Sequence, residues 1–450
     1  MIGFIALVAG GFLGVVLGVA SHQWLKSTYG ISALVGGLTC GLIYGLITGL
    51  GLRHVTQQKH ISSQPGKGST RPGKESTRDT PPGQKMWVDT LISLLPLLVI
   101  MGGWFLFLPP WPSSGPSKPL LLLVPLGIFY IYTYLSVFVH ELGHFLFAWA
   151  TGSEIHRFAI GRFILIRTDQ GLKLRRCQRQ LAGGFVQTIP KSLHRLDRQL
   201  FIMIMGGPTA SFLLFCVGAI PLLSPALISN NPIVWWFTFI SSLSLHTAVF
   251  NTIPIKIGYL STDGRRMLDL VQKNLAGQRF LALYRFNANL HKGIRPRDID
   301  PDIKNQLLAL PENSMEHVAG LLIAYCLTLD QGEIQQAGDY LDQALKINAY
   351  YPELFRGSLL LEGAYFEAHI RHQPDVARQW LDQIQEKVLI EPLSLLRAEA
   401  AIFLAEGDTA SAQAKAQEGL AITQRQQFMP GFILFEQERL QALIQDMTHL

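Results

Sequence analysis

The stretch LSVFVHELGHFLFAWA, residues 135–150, sets two histidines and a glutamate inside an apolar run of membrane-helix character. Ionisable side chains at membrane depth are costly, so they are rare there and mark a pathway or a reaction centre. On a helix His140 and His144, four residues apart, point the same way and can offer two imidazole nitrogens to one metal ion. Glu141 falls at the edge of that face, where it misses the metal and reaches a water activated beside it. The neighbours Val137, Phe138, Val139, Phe145, Leu146 and Phe147 are apolar, unlike those of a water-exposed helix. HELGH therefore reads as a zinc site, with His140 and His144 as ligands and Glu141 as general base.

Composition supplies the setting. Hydrophobic residues make up 48% of the 450 and charged residues 16%. Apolar blocks at residues 2–20, 31–52, 87–108, 119–150, 200–222 and 233–254 approach the roughly 20 residues that cross a bilayer as helix. They predict an integral, multi-pass protein with about six transmembrane helices. The first block has neither a basic leader nor a cleavage signal and is expected to be a retained helix. Residues 53–86 carry seven Lys and Arg against two acids, and residues 151–199 carry ten against three. The connectors 21–30 and 109–118 carry one each. This asymmetry predicts that both basic loops, both termini and the C-terminal domain are cytoplasmic.

Charge also divides the chain lengthwise. Residues 300–450 hold 10 Lys and Arg against 22 Asp and Glu, net −12, so residues 1–299 carry +18 of the overall +6. The positive charge belongs to loops beside membrane spans and lacks interleaved stacking aromatics, which argues for lipid contact and against a nucleic-acid partner. The four cysteines form no CxxC pair and indicate neither a disulfide framework nor a thiolate metal site.

Five regions follow. Gly10, Gly14 and Gly18, with Gly37, Gly41, Gly45 and Gly49, recur every fourth residue and predict a close-packed transmembrane hairpin over 1–52. A Pro-, Gly- and Ser-rich basic linker, expected to be disordered, occupies 53–86. The metal-bearing core takes 87–270, and RFAIGRFILIRTDQGLKLRR within it predicts a hairpin around Asp169–Gly171. Residues 271–310 connect it to the tail, with GIRPRDIDP as an expected hinge. From 311 to 450, helical patterns break at Gly332, Pro352, Pro374, Pro392, Gly407 and Pro430, and YLDQALKINAYYP is echoed forty residues on by WLDQIQEKVLIEP. Paired helices at this spacing resemble tetratricopeptide-like repeats, whose stacks bind peptide or protein partners. The expected fold is an all-α polytopic membrane protein with a short cytoplasmic β-hairpin, plus a soluble α-helical repeat domain.

A catalytic zinc takes a third protein ligand and leaves a fourth position to water. Asp263, shortly beyond a helix that breaks at Pro254, and His246, inside that span, are the candidates. Four elements now stand in order: FVHELGHFL, LAGGFV at 181–186, MGGPTAS at 205–211 and NTIP…DG over 251–264. In that order they resemble the site-2 protease family of intramembrane zinc metalloproteases, over roughly residues 87–270. The resemblance implies that His140, His144 and Asp263 bind zinc, that Glu141 is the general base, and that Asn251 positions substrate or the developing oxyanion. The segment around Gly183–Val186 looks like the family's membrane-dipping loop, which would hold an unwound substrate as an added strand. Three departures stand out: Thr262 replaces the usual leucine before Asp-Gly, Ser211 replaces the more usual asparagine, and the gap from Pro254 to Asp263 is long. The implied activity is hydrolysis of peptide bonds within transmembrane helices of membrane protein substrates, in regulated intramembrane proteolysis, with partners bound through the tail. A non-catalytic membrane scaffold of the same fold, binding partners through its tail, is the alternative.

Overall fold

The computed structural model describes residues 118–448 except 170, 179–182 and 258–259, together with residues 99, 100, 102, 103 and 108. The expected hairpin of 1–52, the linker 53–86 and most of the span at 87–108 lie outside these residues. The described residues divide into two compact units: one holds those up to Gly143 with Gly207–Ile253, the other His144–Gly206 with those from Pro254 onward. Two of the three divisions fall within long helices, α1 (Lys118–Ala150) and α2 (Leu196–Ala219), and the third follows Ile253.

In the first unit α2 continues as a 3-10 turn to Leu223, followed by α3 (Pro225–Ser229), α4 (Pro232–Ile240) and α5 (Ser242–Thr252). The stretches Leu196–Leu223 and Pro232–Thr252 are long and apolar enough to cross a membrane and coincide with two expected spans, while the block at 119–150 lies in α1. Asn231 starts α4 by accepting hydrogen bonds from the backbone of Ile233 and Val234, ahead of Pro232 at the first helical position. Ser241 marks the break between α4 and α5, where the hydroxyls of Ser241 and Ser242 donate back to the carbonyls of Thr238 and Phe239. Gly218 of α2 meets this break so closely that a Cβ on it would lie 2.3 Å from Ser241 Cβ. Tyr132, Trp235, Phe239, Ile240 and Leu243 fill the core.

In the second unit Gly152, at φ +84°, ends α1 and turns the chain into a sheet. The strands are β1 (Ser153–Ile160), β2 (Phe163–Thr168), β3 (Gly171–Arg176) and β4 (Gly184–Pro190), all antiparallel, in the order β3-β2-β1-β4. The β2–β3 hairpin stands where expected, with Thr168 opposite Gly171. The fold is nevertheless more than all-α with one hairpin, because β1 and β4 extend it to four strands. Their sequences, SEIHRFAI and GFVQTIP, lack a clean two-residue alternation, and a register shift between Ile155 and Arg157 interrupts the pattern further.

A two-residue hairpin, β5 (Lys256–Ile257) with β6 (Leu260–Ser261), leads into α6 (Asp263–Gln272), α7 (Leu275–His291) and α8 (Pro301–Leu308). Seven helices complete the chain: α9 (Met315–Asp330), α10 (Ile334–Lys346), α11 (Glu353–Tyr365), α12 (Pro374–Asp382), α13 (Pro392–Ala405), α14 (Thr409–Thr423) and α15 (Pro430–Thr448). Helices α9, α11, α13 and α15 start at 315, 353, 392 and 430, a spacing of 38 or 39 residues. Each of the first three packs on the helix that follows it, and α11, α13 and α15 also stack in turn.

These four helices converge on a buried ionic network. Arg397 pairs with Glu362 (2.6 Å) and Glu436 (2.7 Å), and Arg439 pairs with the same two carboxylates (2.8 and 2.7 Å). Tyr325 and Ser394 donate hydroxyl hydrogens into it, and both guanidinium groups lie over the ring of Tyr365. Burial pushes the Glu362 carboxyl up, but Arg397 and Arg439 hold it below its ordinary value. The stretch GIRPRDIDP, expected to be a hinge, is tied down instead: Arg295 and Arg297 bond Asp330 and Glu438, and Ile299 is buried with Ile303, Leu307 and Leu327.

Removing one partner of a buried ion pair strands its counter-charges, which costs about 3–5 kcal/mol, whereas an exposed pair contributes about 0–1 kcal/mol. Arg397→Met is therefore expected to lower the denaturation midpoint of the tail sharply. Arg378→Ala, which breaks the exposed pair with Glu406, should leave the midpoint nearly unchanged in the same chemical-denaturation series. Equal effects would mean that the network is not what holds the four helices together.

Candidate metal centre

Along α1 a polar side chain recurs every fourth residue, at Tyr132, Ser136, His140 and His144. Such a stripe drifts by about 40° per step, so it stays near one face for a few turns. Each member has a partner. Ser244 Oγ of α5 lies within hydrogen-bond distance of Tyr132 Oη (3.1 Å) and Ser136 Oγ (3.3 Å). His140 Nδ1 lies 2.9 Å from Ser211 Oγ, and His144 Nδ1 lies 3.0 Å from the carbonyl of Met203, both partners belonging to α2.

The last contact decides a tautomer. A carbonyl only accepts, so Nδ1 of His144 carries the hydrogen and Nε2 is left with its lone pair. That Nε2 faces Asp263 Oδ2 at 3.4 Å. A lone pair opposite a carboxylate oxygen at this distance calls for a cation, either a proton or a metal. One ligand atom from each of His140, His144 and Asp263 lies within 4.8 Å of the other two. His140 and His144 both lie on α1. Two imidazole nitrogens and one carboxylate oxygen form a donor set that suits zinc and leaves a fourth position for water.

Local chemistry explains how Asp263 is presented. Thr262 caps α6 by accepting from Arg265 N (3.3 Å), and its hydroxyl also donates to the Ile255 carbonyl (3.0 Å). Thr262 thus clamps the β5–β6 hairpin, which takes up the long gap from Pro254 and sets Asp263 in the first turn of α6. A carboxylate there is favoured by the helix dipole. The α6–α7 corner is tight: a Cβ on Gly277 would lie 2.2 Å from the Asp269 carbonyl oxygen.

Glu141 is buried on α1 immediately after His140. Asn251 stands in the last turn of α5 with Nδ2 donating to the Thr247 carbonyl (3.0 Å). His246 is outside the group of His140, His144 and Asp263; it is buried and stacked on Phe250 at 5.4 Å. A link to the sheet also appears: Thr188 Oγ1 of β4 donates to Met203 Sδ at 3.3 Å, one residue's length from the carbonyl that holds His144. Sequence reasoning noticed Ser211 only as a departure and assigned it no role. The fourth-residue recurrence of polar groups in α1 is the signal that such partners exist, but the Met203 carbonyl has no signature in side-chain chemistry.

Residues 128–226 match the family model of Peptidase family M50. Over this segment the chain is similar to that family, which comprises membrane-embedded zinc metalloproteases. The matched stretch contains His140, Glu141, His144 and Ser211, whereas Asn251 and Asp263 lie beyond it. No curated protein and no solved structure matches the chain.

Ser211 Oγ is the partner of the His140 ring at Nδ1. Loss of such an orienting partner typically costs about 10- to 100-fold in metal affinity. Ser211→Ala should weaken zinc binding by that order in a chelator competition, and Ser211→Asn, which keeps a hydrogen-bonding side chain there, should retain it. Unchanged affinity in Ser211→Ala would remove Ser211 from the site.

Proposed function

We propose that this protein is an intramembrane zinc metallopeptidase that hydrolyses peptide bonds within transmembrane helices of other membrane proteins. The observation that carries the proposal is the fixed tautomer of His144, whose Nε2 meets Asp263 beside His140, in a chain similar to Peptidase family M50 over residues 128–226. His140, His144 and Asp263 would hold the zinc, which when bound supplies a Lewis acid able to bring the pKa of water down towards about 7.

Glu141 takes the proton of the attacking water and delivers it to the leaving amide nitrogen. Asn251 turns its amide from the Thr247 carbonyl to the scissile carbonyl and steadies the oxyanion. A helical peptide bond is already hydrogen-bonded and shielded, so the substrate must unwind before it reacts. β4 is the outer strand beside β1 and pairs with no other strand among the described residues, an edge that suits an unwound segment added as a further strand. The contact from Thr188 to Met203 puts that strand next to the residue that fixes His144.

In the same reading the chain crosses the membrane several times with its basic loops and tail in the cytoplasm. The repeating helices of the tail act as a tetratricopeptide-like platform, and net −12 over 300–450 favours basic segments beside substrate spans.

Three substitutions test this. Glu141→Gln is expected to abolish cleavage of a transmembrane reporter while the purified protein keeps its zinc; cleavage at the normal rate sinks the assignment, and absence of zinc from the unmodified protein leaves the scaffold reading. Asp263→Ala is expected to lose zinc affinity far more than His246→Ala does. The reverse order in a metal titration transfers the third ligand to His246.

A further inference from the structure

A cleft of about 290 Å³ opens where the sheet meets the turns of the helical tail. Five basic side chains line it, Arg157, Arg167, Lys173, Arg175 and Arg425, against two acidic ones, Asp169 and Glu391. Both acids are already engaged. Asp169 Oδ1 accepts the backbone N–H of Gln427 (2.9 Å) and Phe428 (2.8 Å), and Glu391 Oε1 accepts from Arg157 Nη2 (3.0 Å). The cleft is left with an excess of positive charge.

His156 lines the same cleft and is only 5% exposed, stacked on Phe428 at 4.8 Å. Its Nδ1 is buried and has no hydrogen-bond partner among the described residues. Burial, with Arg157 and His291 nearby, pushes this imidazole down to about 2, so it is neutral and adds a polar atom rather than another cation. An unsatisfied buried polar atom is destabilising, so this nitrogen is a feature that ordinary packing leaves unexplained. Ile166, Leu389 and Ile422 contribute apolar lining.

We propose that this cleft binds an organic phosphate of about mononucleotide size, its phosphate held by Arg175 and Arg425 and its remaining part set against the apolar lining and His156. Small-molecule sites run from roughly 300 Å³ upward, so the volume suits a single small ligand and excludes a folded partner. Guanidinium forks match phosphate oxygens in geometry as well as charge. The apolar lining and the buried imidazole select a molecule that is more than an inorganic anion. Because the walls come from β1, β2 and β3 on one side and from the turns after α12 and α14 on the other, the occupant bridges sheet and tail. The site is independent of the peptidase reading.

Calorimetry on the full-length protein in detergent tests it, with a nucleoside monophosphate, inorganic phosphate and an acidic peptide as probes. The nucleoside monophosphate should bind and raise the melting midpoint, and inorganic phosphate should bind at least about 10-fold more weakly. Arg425→Gln and His156→Phe should each lower nucleotide affinity by about 10-fold or more, the scale of one charged or buried hydrogen bond. The unliganded melting midpoint of Arg425→Gln should match the parent, which separates lost binding from lost folding. No nucleotide binding, equal binding of inorganic phosphate, preference for the acidic peptide, or an Arg425→Gln affinity equal to the parent's would each overturn the proposal.

Discussion

The hydrogen bond from His144 Nδ1 to the Met203 carbonyl is the contact on which the metal centre depends. It costs the imidazole one of its two nitrogens and thereby commits the other to the site. The acceptor lies in α2, which also carries Pro208; proline has no N–H for the carbonyl of Ile204, four residues back and next to Met203. Met203 then serves three partners: its carbonyl holds His144, its sulfur accepts from Thr188 of β4, and its side chain packs with Ala148, Leu200 and Met267. One residue so joins α1, the sheet and the helix that carries Asp263.

The sheet is in turn seated on the tail. Ile164, Ile166 and Cys177 pack against Leu354 and Leu389, and Phe185 meets Phe355 edge-on at 5.3 Å. Polar contacts surround this apolar patch: the Gln178 amide donates to Glu386 (2.7 Å), Arg157 pairs with Glu391, and Arg175 reaches the Val388 carbonyl. Burial and the nearby Glu386 push the Cys177 thiol up to about 11, so at neutral pH it is an apolar packing group. The sheet therefore has tail residues on one side of its core, and any rearrangement of β1 to β3 must break pairs that carry the connectors of α12 to α13 and α14 to α15.

How much of this was legible in the sequence depends on range. The HELGH turn is local, and i to i+4 geometry brings His140 and His144 together before any tertiary structure is known. Asp263 needed the order of motifs, because the β5–β6 hairpin and the Thr262 clamp that present it are not encoded in a spacing rule. The β2–β3 hairpin is legible from alternation about Asp169-Gln170-Gly171, while β1, with its register shift, and β4, which opens on the second of two adjacent glycines, are not. The hinge read into GIRPRDIDP failed for a related reason. Prolines and charges look like a linker in isolation, and only the acids at Asp330 and Glu438, supplied by other helices, convert the arginines into anchors.

The network of Glu362, Arg397, Glu436 and Arg439 carries one further consequence for the tail. In a stack of helix pairs the faces of the first helices normally remain open as the concave surface. Here those faces are turned onto one another: Arg397 and Glu436 are fully buried, and Tyr325 and Tyr365 close over the charges. Two buried cations paired with two buried anions, which also accept from Tyr325 and Ser394, are poorly placed to meet a ligand, since displacing either arginine would strand buried carboxylates. The buried network is thus a structural element that ties α9, α11, α13 and α15 together, and a ligand of the tail would have to meet other surfaces of it.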